Sequence, residues 1–320
     1  MPAHPAPRRL VAALAGLAAA LSLAACDLRP ETPPPVEPSP DAAEQVRART
    51  VDDALGLAAA ARSARTGLAD DDPAAAVLDD VVAFSTAHAE AFGGVYESGL
   101  PKPTPTVTPT VTPTAAPASP QDVLTDLLAT ADTALADADA DPDGATARLL
   151  ASVGVSRDDL GTRLSSALGL EPAVESTPVP EPTGVPAGLG PEAATTLVLA
   201  HDQAGYAFEV IAAKLTDAPR AAAQLAAAEH REAAQEWLDR SGAEDPRQAV
   251  YALPPGLDET TAATLAADLE TAVGDAASAA IPQVAAGARS ELVGVLASSV
   301  ARARAWGATP IAFPGIPELG

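Results

Sequence analysis

Scarcity comes first in this sequence. Cysteine occurs once in 320 residues, at Cys26, so no intrachain disulfide is possible and the fold must stand on packing alone. Aromatic residues make up only 3% of the chain, and 19 basic residues face 43 acidic ones for a formal net charge of −24. A chain with that balance has no basic stripe to displace counterions from phosphates, which excludes nucleic acid as a partner. The same charge disfavours electrostatic adhesion to anionic lipid headgroups. No Gly-x-Ser-x-Gly elbow, Walker-type phosphate loop or dinucleotide glycine fingerprint occurs. Beyond residue 25 no run is both long and apolar enough to span a membrane.

The N-terminus has the three parts of a secretory signal in order: Arg8 and Arg9, an apolar run from Leu10 to Leu23, and small residues before a cleavage point. The run is about 14 residues, short of the roughly 20 that a spanning helix needs. Residues 1–25 are therefore expected to be removed between Ala25 and Cys26. Leu23-Ala24-Ala25-Cys26 resembles the lipobox of bacterial lipoproteins, in which the cysteine thiol receives a diacylglyceryl group. Cys26 is thus expected to carry lipid, and thiol catalysis or a cysteine metal site is excluded. Two acyl chains hold a protein on a membrane without a transmembrane helix. The expected location is the extracytoplasmic face of the cell membrane. Loss of Arg8 and Arg9 makes the mature chain two charges more negative.

Proline divides the rest of the chain. Residues 26–40 read as a proline-rich tether, residues 101–120 (PKPTPTVTPTVTPTAAPASP) as an extended Pro/Thr segment, and residues 171–190 as a linker. Between them, Ala, Leu and Val carry the hydrophobicity at helical periods, which predicts an all-α protein. Helices are expected over Asp41–Thr66 and from Asp72-Pro73 to Ser98. A third runs from Ser119-Pro120 to Ala140, and a fourth over Thr146–Leu168 is interrupted near Gly154, with Ser156 and Asp159 as a second cap. The second half predicts Glu192–Thr216, with Leu197, His201, Ala204, Phe208, Ile211 and Leu215 on one face. After a turn at Asp217-Ala218-Pro219, a helix runs through Ser241. The next starts at Asp258 and kinks at Pro282, and the last covers Gly287–Trp306.

The two halves echo each other. Ala74–Ala76 follows Asp72-Pro73 as Ala221–Ala223 follows the 217–220 turn, His88-Ala-Glu-Ala matches His230-Arg-Glu-Ala, and Ser98-Gly99 matches Ser241-Gly242. Each half reads as two hairpins joined by a proline-containing crossover, the topology of a ferritin-like four-helix bundle.

Residues 191–320 resemble an actinobacterial ferritin-like lipoprotein family of unknown function, DUF4439. The likeness rests on the run His201-Asp-Gln-Ala-Gly-Tyr-Ala-Phe, the His230-centred second helix, the Tyr251-Ala-Leu-Pro crossover and the ending from Ala301 through Trp306 to Phe313-Pro-Gly-Ile-Pro-Glu. It implies a ferritin-like bundle in this half and a related but degenerate helical half at 41–170. Members of the family usually place an acidic residue before the first-helix histidine, where this chain has Ala200.

Ferritin-like dimetal centres need a Glu on each of two helices and a Glu-x-x-His on each of the others. No Glu-x-x-His occurs here: His88, His201 and His230 follow Ser85, Val198 and Ala227 at that spacing. No dimetal oxidase and no cofactor is therefore expected. His201 lies about 16 residues before the 217 turn and His230 about 13 after it, so at 1.5 Å per residue they fall within ~5 Å in height. Glu209, Glu229 and Glu232 would supply carboxylates nearby. The expected site is a hydrogen-bonded polar core, with a single metal or small ligand on His201 and His230 as the alternative. Asp139, Asp141, Asp143 and Gly144 fit half of an EF-hand loop, but Leu150 replaces the bidentate Glu, so a solvated helix end is expected. The expected function is that of a membrane-anchored, non-enzymatic helical module that binds an envelope protein or cell-wall component.

Overall fold

A computed structural model describes residues 37–98, 100, 118–170 and 184–319. Cys26, the signal segment, and most of the tether, the Pro/Thr segment and the linker lie outside those residues. Contacts group Pro40–Glu97 and Thr108–Gly320 into one compact unit that holds all the described helices; of the other unit, only residues 37–39, 98 and 100 are described, and they form no helix. The described residues are all-α, with eight helices, one short 3₁₀ turn and no strand.

Local chemistry sets the ends. Helix α1, Ala42–Thr66, starts on Asp41, whose carboxylate accepts from Glu44 N. Helix α2, Pro73–Ala91, has Asp72 as cap and proline at its first turn. Helix α3, Pro120–Ala140, opens on a reciprocal Ser119–Asp122 capping box. Helix α4 spans Gly144–Ala167, α5 Pro191–Ala212, α6 Asp217–Ser241 and α7 Glu259–Ala280, followed by a 3₁₀ turn at Ile281–Gln283 and α8, Ser290–Ala305.

Several expected boundaries need correction. Helix α2 stops at Ala91 rather than Ser98, because Gly93 and Gly94 both take positive φ and turn the chain. The Ser98-Gly99 match to the end of the sixth helix is therefore not a shared helix terminus. Helix α4 runs unbroken through Gly154, and Ser156 and Asp159 do not cap a second segment. The glycine is there for approach: a Cβ on it would lie 2.5 Å from the Leu135 side chain of α3. Helix α5 ends at Ala212, and α8 begins at Ser290 after Gly287 turns at positive φ. The expected linker does not extend to residue 190. Leu189 is buried in the core, and Ala187 O accepts from Ala285 N.

The helices pair as four hairpins, α1–α2, α3–α4, α5–α6 and α7–α8, and within each half α1 packs on α3 as α5 packs on α7. In the first half α2 also closes on α4, through a cluster that includes Leu78, Val81, Leu160 and Leu164. In the second, α6 and α8 meet at one end, where Arg240 pairs with Glu291 at 2.7 Å and Trp237 shares a cluster with Leu292, and stay apart at the other.

The halves share a core. Val51, Ala89, Leu150 and Val153 belong to the same apolar cluster as Leu197, Ala277, Leu296 and Phe313. Helix α4 is the pivot, touching α7, the 3₁₀ turn and α8. Arg289, 2% exposed, reaches across to the carbonyls of Ala138 (2.8 Å) and Asp141 (2.5 Å) while Asp139 Oδ1 accepts from its backbone N–H. The acidic 137–144 run is consumed this way, since Asp143 caps α4 through Thr146 N and Asp141 accepts from Asp143 N. Wholly buried Arg157 donates to Thr50 O and Thr130 O, joining α4 to α1 and α3.

Candidate functional site

One polar residue from each helix of the second half joins a single buried chain. His201 of α5 sits in the predicted stripe, with Leu197, Ala204, Phe208, Ile211 and Leu215 all buried beside it. Its Nδ1 lies 3.0 Å from Nδ1 of His230 on α6. On the far side of that ring, His230 Nε2 lies 3.1 Å from Glu270 Oε1 on α7, and Arg302 Nε on α8 donates to the other oxygen, Oε2, at 2.9 Å. Glu270 is wholly buried, His201 and His230 nearly so, and only the Arg302 side chain reaches solvent, at 33%. Phe208 stacks on His230 with ring centroids 5.5 Å apart, and Trp306 meets Phe208 at a tilt with centroids 5.8 Å apart.

The proton arrangement follows from the acceptor. A carboxylate takes protons but gives none, so His230 Nε2 carries its hydrogen toward Glu270. For a neutral His230, Nδ1 then accepts from His201 Nδ1–H, which leaves His201 Nε2 a bare, buried nitrogen without a partner among the described residues. Burial pushes His201 from 6.5 down to about 3, and the nearby Arg302 charge presses the same way.

A second, shallower cluster sits on the next residue. Asp202 is buried on α5; Arg231 of α6 donates to Oδ1 and the Tyr251 hydroxyl donates to Oδ2 at 2.6 Å. The Tyr251 ring also meets Tyr206 edge-on. The His201-Asp-Gln-Ala-Gly-Tyr run thereby fastens the 243–257 crossover to the first hairpin.

The expected carboxylates are not part of the buried chain. Glu209 is 55% exposed and pairs with Arg231 at 3.2 Å, while Glu229 and Glu232 are exposed on the outside of α6. The helical period explains Glu229 and Glu232: residues flanking a buried histidine by one or two positions point 100–200° away from it. Glu270 supplies the carboxylate instead. Its signal was legible, because Ala262, Ala266, Glu270, Val273 and Ala277 repeat at spacings of four and three on the buried face of α7.

These residues do not fit the metal centre that a ferritin-like bundle implies. Among the described residues no three His, Cys, Asp or Glu side chains gather as a metal site. His201 and His230 turn the same pair of nitrogens on each other, and Glu270 lies on the opposite edge of the His230 ring. Where a cation would balance the buried carboxylate, the chain supplies the Arg302 guanidinium.

The third histidine, His88, lies apart from this chain. Its Nε2 donates to Ala312 O at 2.8 Å and its ring meets Phe313 edge-on, so α2 grips the C-terminal ending. That ending is pinned further: Ser152 donates to Pro314 O, and Arg148 donates to Gly315 O and to Ser278 Oγ.

Comparison with known proteins is confined to the second half. No curated protein and no solved structure matches the chain. Residues 193–318, the span that holds the His201–His230–Glu270–Arg302 chain and the pinned ending, match the family model described as a domain of unknown function, and this part of the protein is a DUF4439 domain.

Proposed function

We propose that this protein is a lipid-tethered, extracytoplasmic helical module with a non-catalytic binding or structural role. The observation that carries the non-catalytic half of this reading is the closure of the four-helix polar chain. Its imidazoles and carboxylate bond one another, and all but Arg302 are shut from solvent, so neither the histidines nor the glutamate of this network faces a substrate. The tether rests on Cys26 and the apolar run before it. Among the described residues no helix is long and apolar enough to cross a membrane, consistent with an anchor made of acyl chains. In topology the second half is read as a ferritin-like bundle whose interior charge is balanced by arginine in place of metal.

The test is to express the chain in an actinobacterial host with an alkyne-labelled fatty acid. Label and membrane association are expected for the natural chain and should both vanish on Cys26→Ser. A serine variant that stays on the membrane and is processed normally would overturn the tether.

A further inference from the structure

The two halves pair their helices in the same order except at one seam. Where α2 closes on α4 through Leu78, Val81, Leu160 and Leu164, the matching pair α6 and α8 is bridged by Arg240 and Glu291 at one end and stands open between 218–229 and 302–306 at the other. The gap is a groove of about 770 Å³, floored by Leu215 and Ala226 and walled by Ala222, Leu225, Ala263 and Trp306. Its α6 wall is alanine-rich, which leaves room for side chains from outside. Leu225 is 61% exposed, the most exposed large apolar residue on any helix among the described residues.

Charge selects the occupant. Glu229 and Glu259 stand at the edge of the groove, both exposed and neither in an ion pair among the described residues. The one cation in the lining, Arg302, is already matched by Glu270. A fatty-acid carboxylate entering here would meet two unpaired carboxylates and an arginine already paired. A second copy of the chain would bring the same rim and the same net charge of −24. We infer that the α6–α8 groove receives a basic amphipathic helix of a partner protein, its apolar stripe on Leu225 and Trp306 and its Lys or Arg side chains on Glu229 and Glu259. An alanine-lined apolar groove takes the apolar stripe of an amphipathic helix, and a basic one is drawn to a strongly acidic chain.

This inference rests on the reading of the chain as a binding module, and its test is independent of the lipid. The protein is residues 26–320 with Cys26→Ser, which keeps every described residue. The probe is a helical peptide of about 18 residues carrying leucine on one face and lysine on the other. Trp306 reports docking by a blue shift in emission, since Trp237 is already buried. Leu225→Asp is expected to weaken binding roughly tenfold or more, and Glu229→Gln with Glu259→Gln about fivefold. Glu90→Gln with Glu192→Gln, which removes equal charge elsewhere, should leave affinity within about twofold. Equal weakening by both double variants would reduce the effect to bulk charge and overturn the site. So would equal binding of a twin peptide with glutamate for lysine, an equal emission shift from palmitate, or self-association of the protein through Leu225. None of these outcomes bears on whether Cys26 is lipidated.

Discussion

Glu270 and Arg302 form the outer link of the buried chain, a wholly enclosed carboxylate bound at 2.9 Å to a guanidinium that reaches the surface. Removing one partner of such a pair leaves the other stranded, whereas replacing both with apolar groups of similar volume is often neutral. Glu270→Gln is therefore expected to lower stability by about 3 kcal/mol in urea titrations. Glu270→Leu with Arg302→Leu should recover most of that loss. A double variant as unstable as the sum of its single changes would show that the chain stabilises the bundle as a net term.

Burial holds His88 and His201 far below the ordinary imidazole value of 6.5, each at about 3. A folded-state value below the unfolded one means that the unfolded chain binds the extra proton between about pH 3 and pH 6.5. The stability these two groups contribute is full above about pH 6.5 and declines as pH falls through that window, by about 1.4 kcal/mol per pH unit for each. Proton uptake on unfolding at about pH 5 should drop by about one proton in His201→Asn and likewise in His88→Gln. Comparing variants with the natural chain cancels the opposing carboxylates, such as Asp159 and Asp275, whose values burial raises. Unchanged uptake would mean that the ring is already charged in the fold.

Tyr251 fixes the crossover by donating to the buried Asp202 carboxylate at 2.6 Å. A hydrogen bond to a charged group contributes about 1.5–3 kcal/mol, although Arg231 retains Asp202 when the hydroxyl is lost. Tyr251→Phe should cost about 1.5 kcal/mol and speed amide exchange across 243–257 while α5 stays protected. Uniform loss of protection would contradict a local role.

Gly315 is placed where no other residue fits. Its φ is +77°, and an added Cβ would lie 2.4 Å from Ser278 Cβ. Gly315→Ala is expected to cost about 2–3 kcal/mol and to expose the 308–319 ending to proteases ahead of global unfolding. Normal protease resistance would show that the ending can redock.

Helix periodicity and caps were readable residue by residue: Asp41, Asp72, Ser119 and Asp258 all cap the helices they precede. So was the meeting of His201 with His230, which needed only a turn position and a rise per residue. Two features that sequence reading missed were set by neighbours distant in the chain. Gly154 looks like an interruption until Leu135 of another helix is set against it. Glu270 lies on a legible apolar stripe, but its role takes shape only when α6 and α8 bring His230 and Arg302 to its two oxygens. The lipid-bearing cysteine and the proline tracts concern segments outside the described residues, where sequence remains the whole argument.

Arg289 has a consequence for where the protein can be divided. The family match begins at residue 193, yet this arginine spends its donors on carbonyls of Ala138, Asp139 and Asp141. An excised second half would strand that guanidinium and bare the flank that α4 covers. Sequence kinship and the smallest piece able to stand alone are thus different lengths, and the portable unit is the pair of halves together.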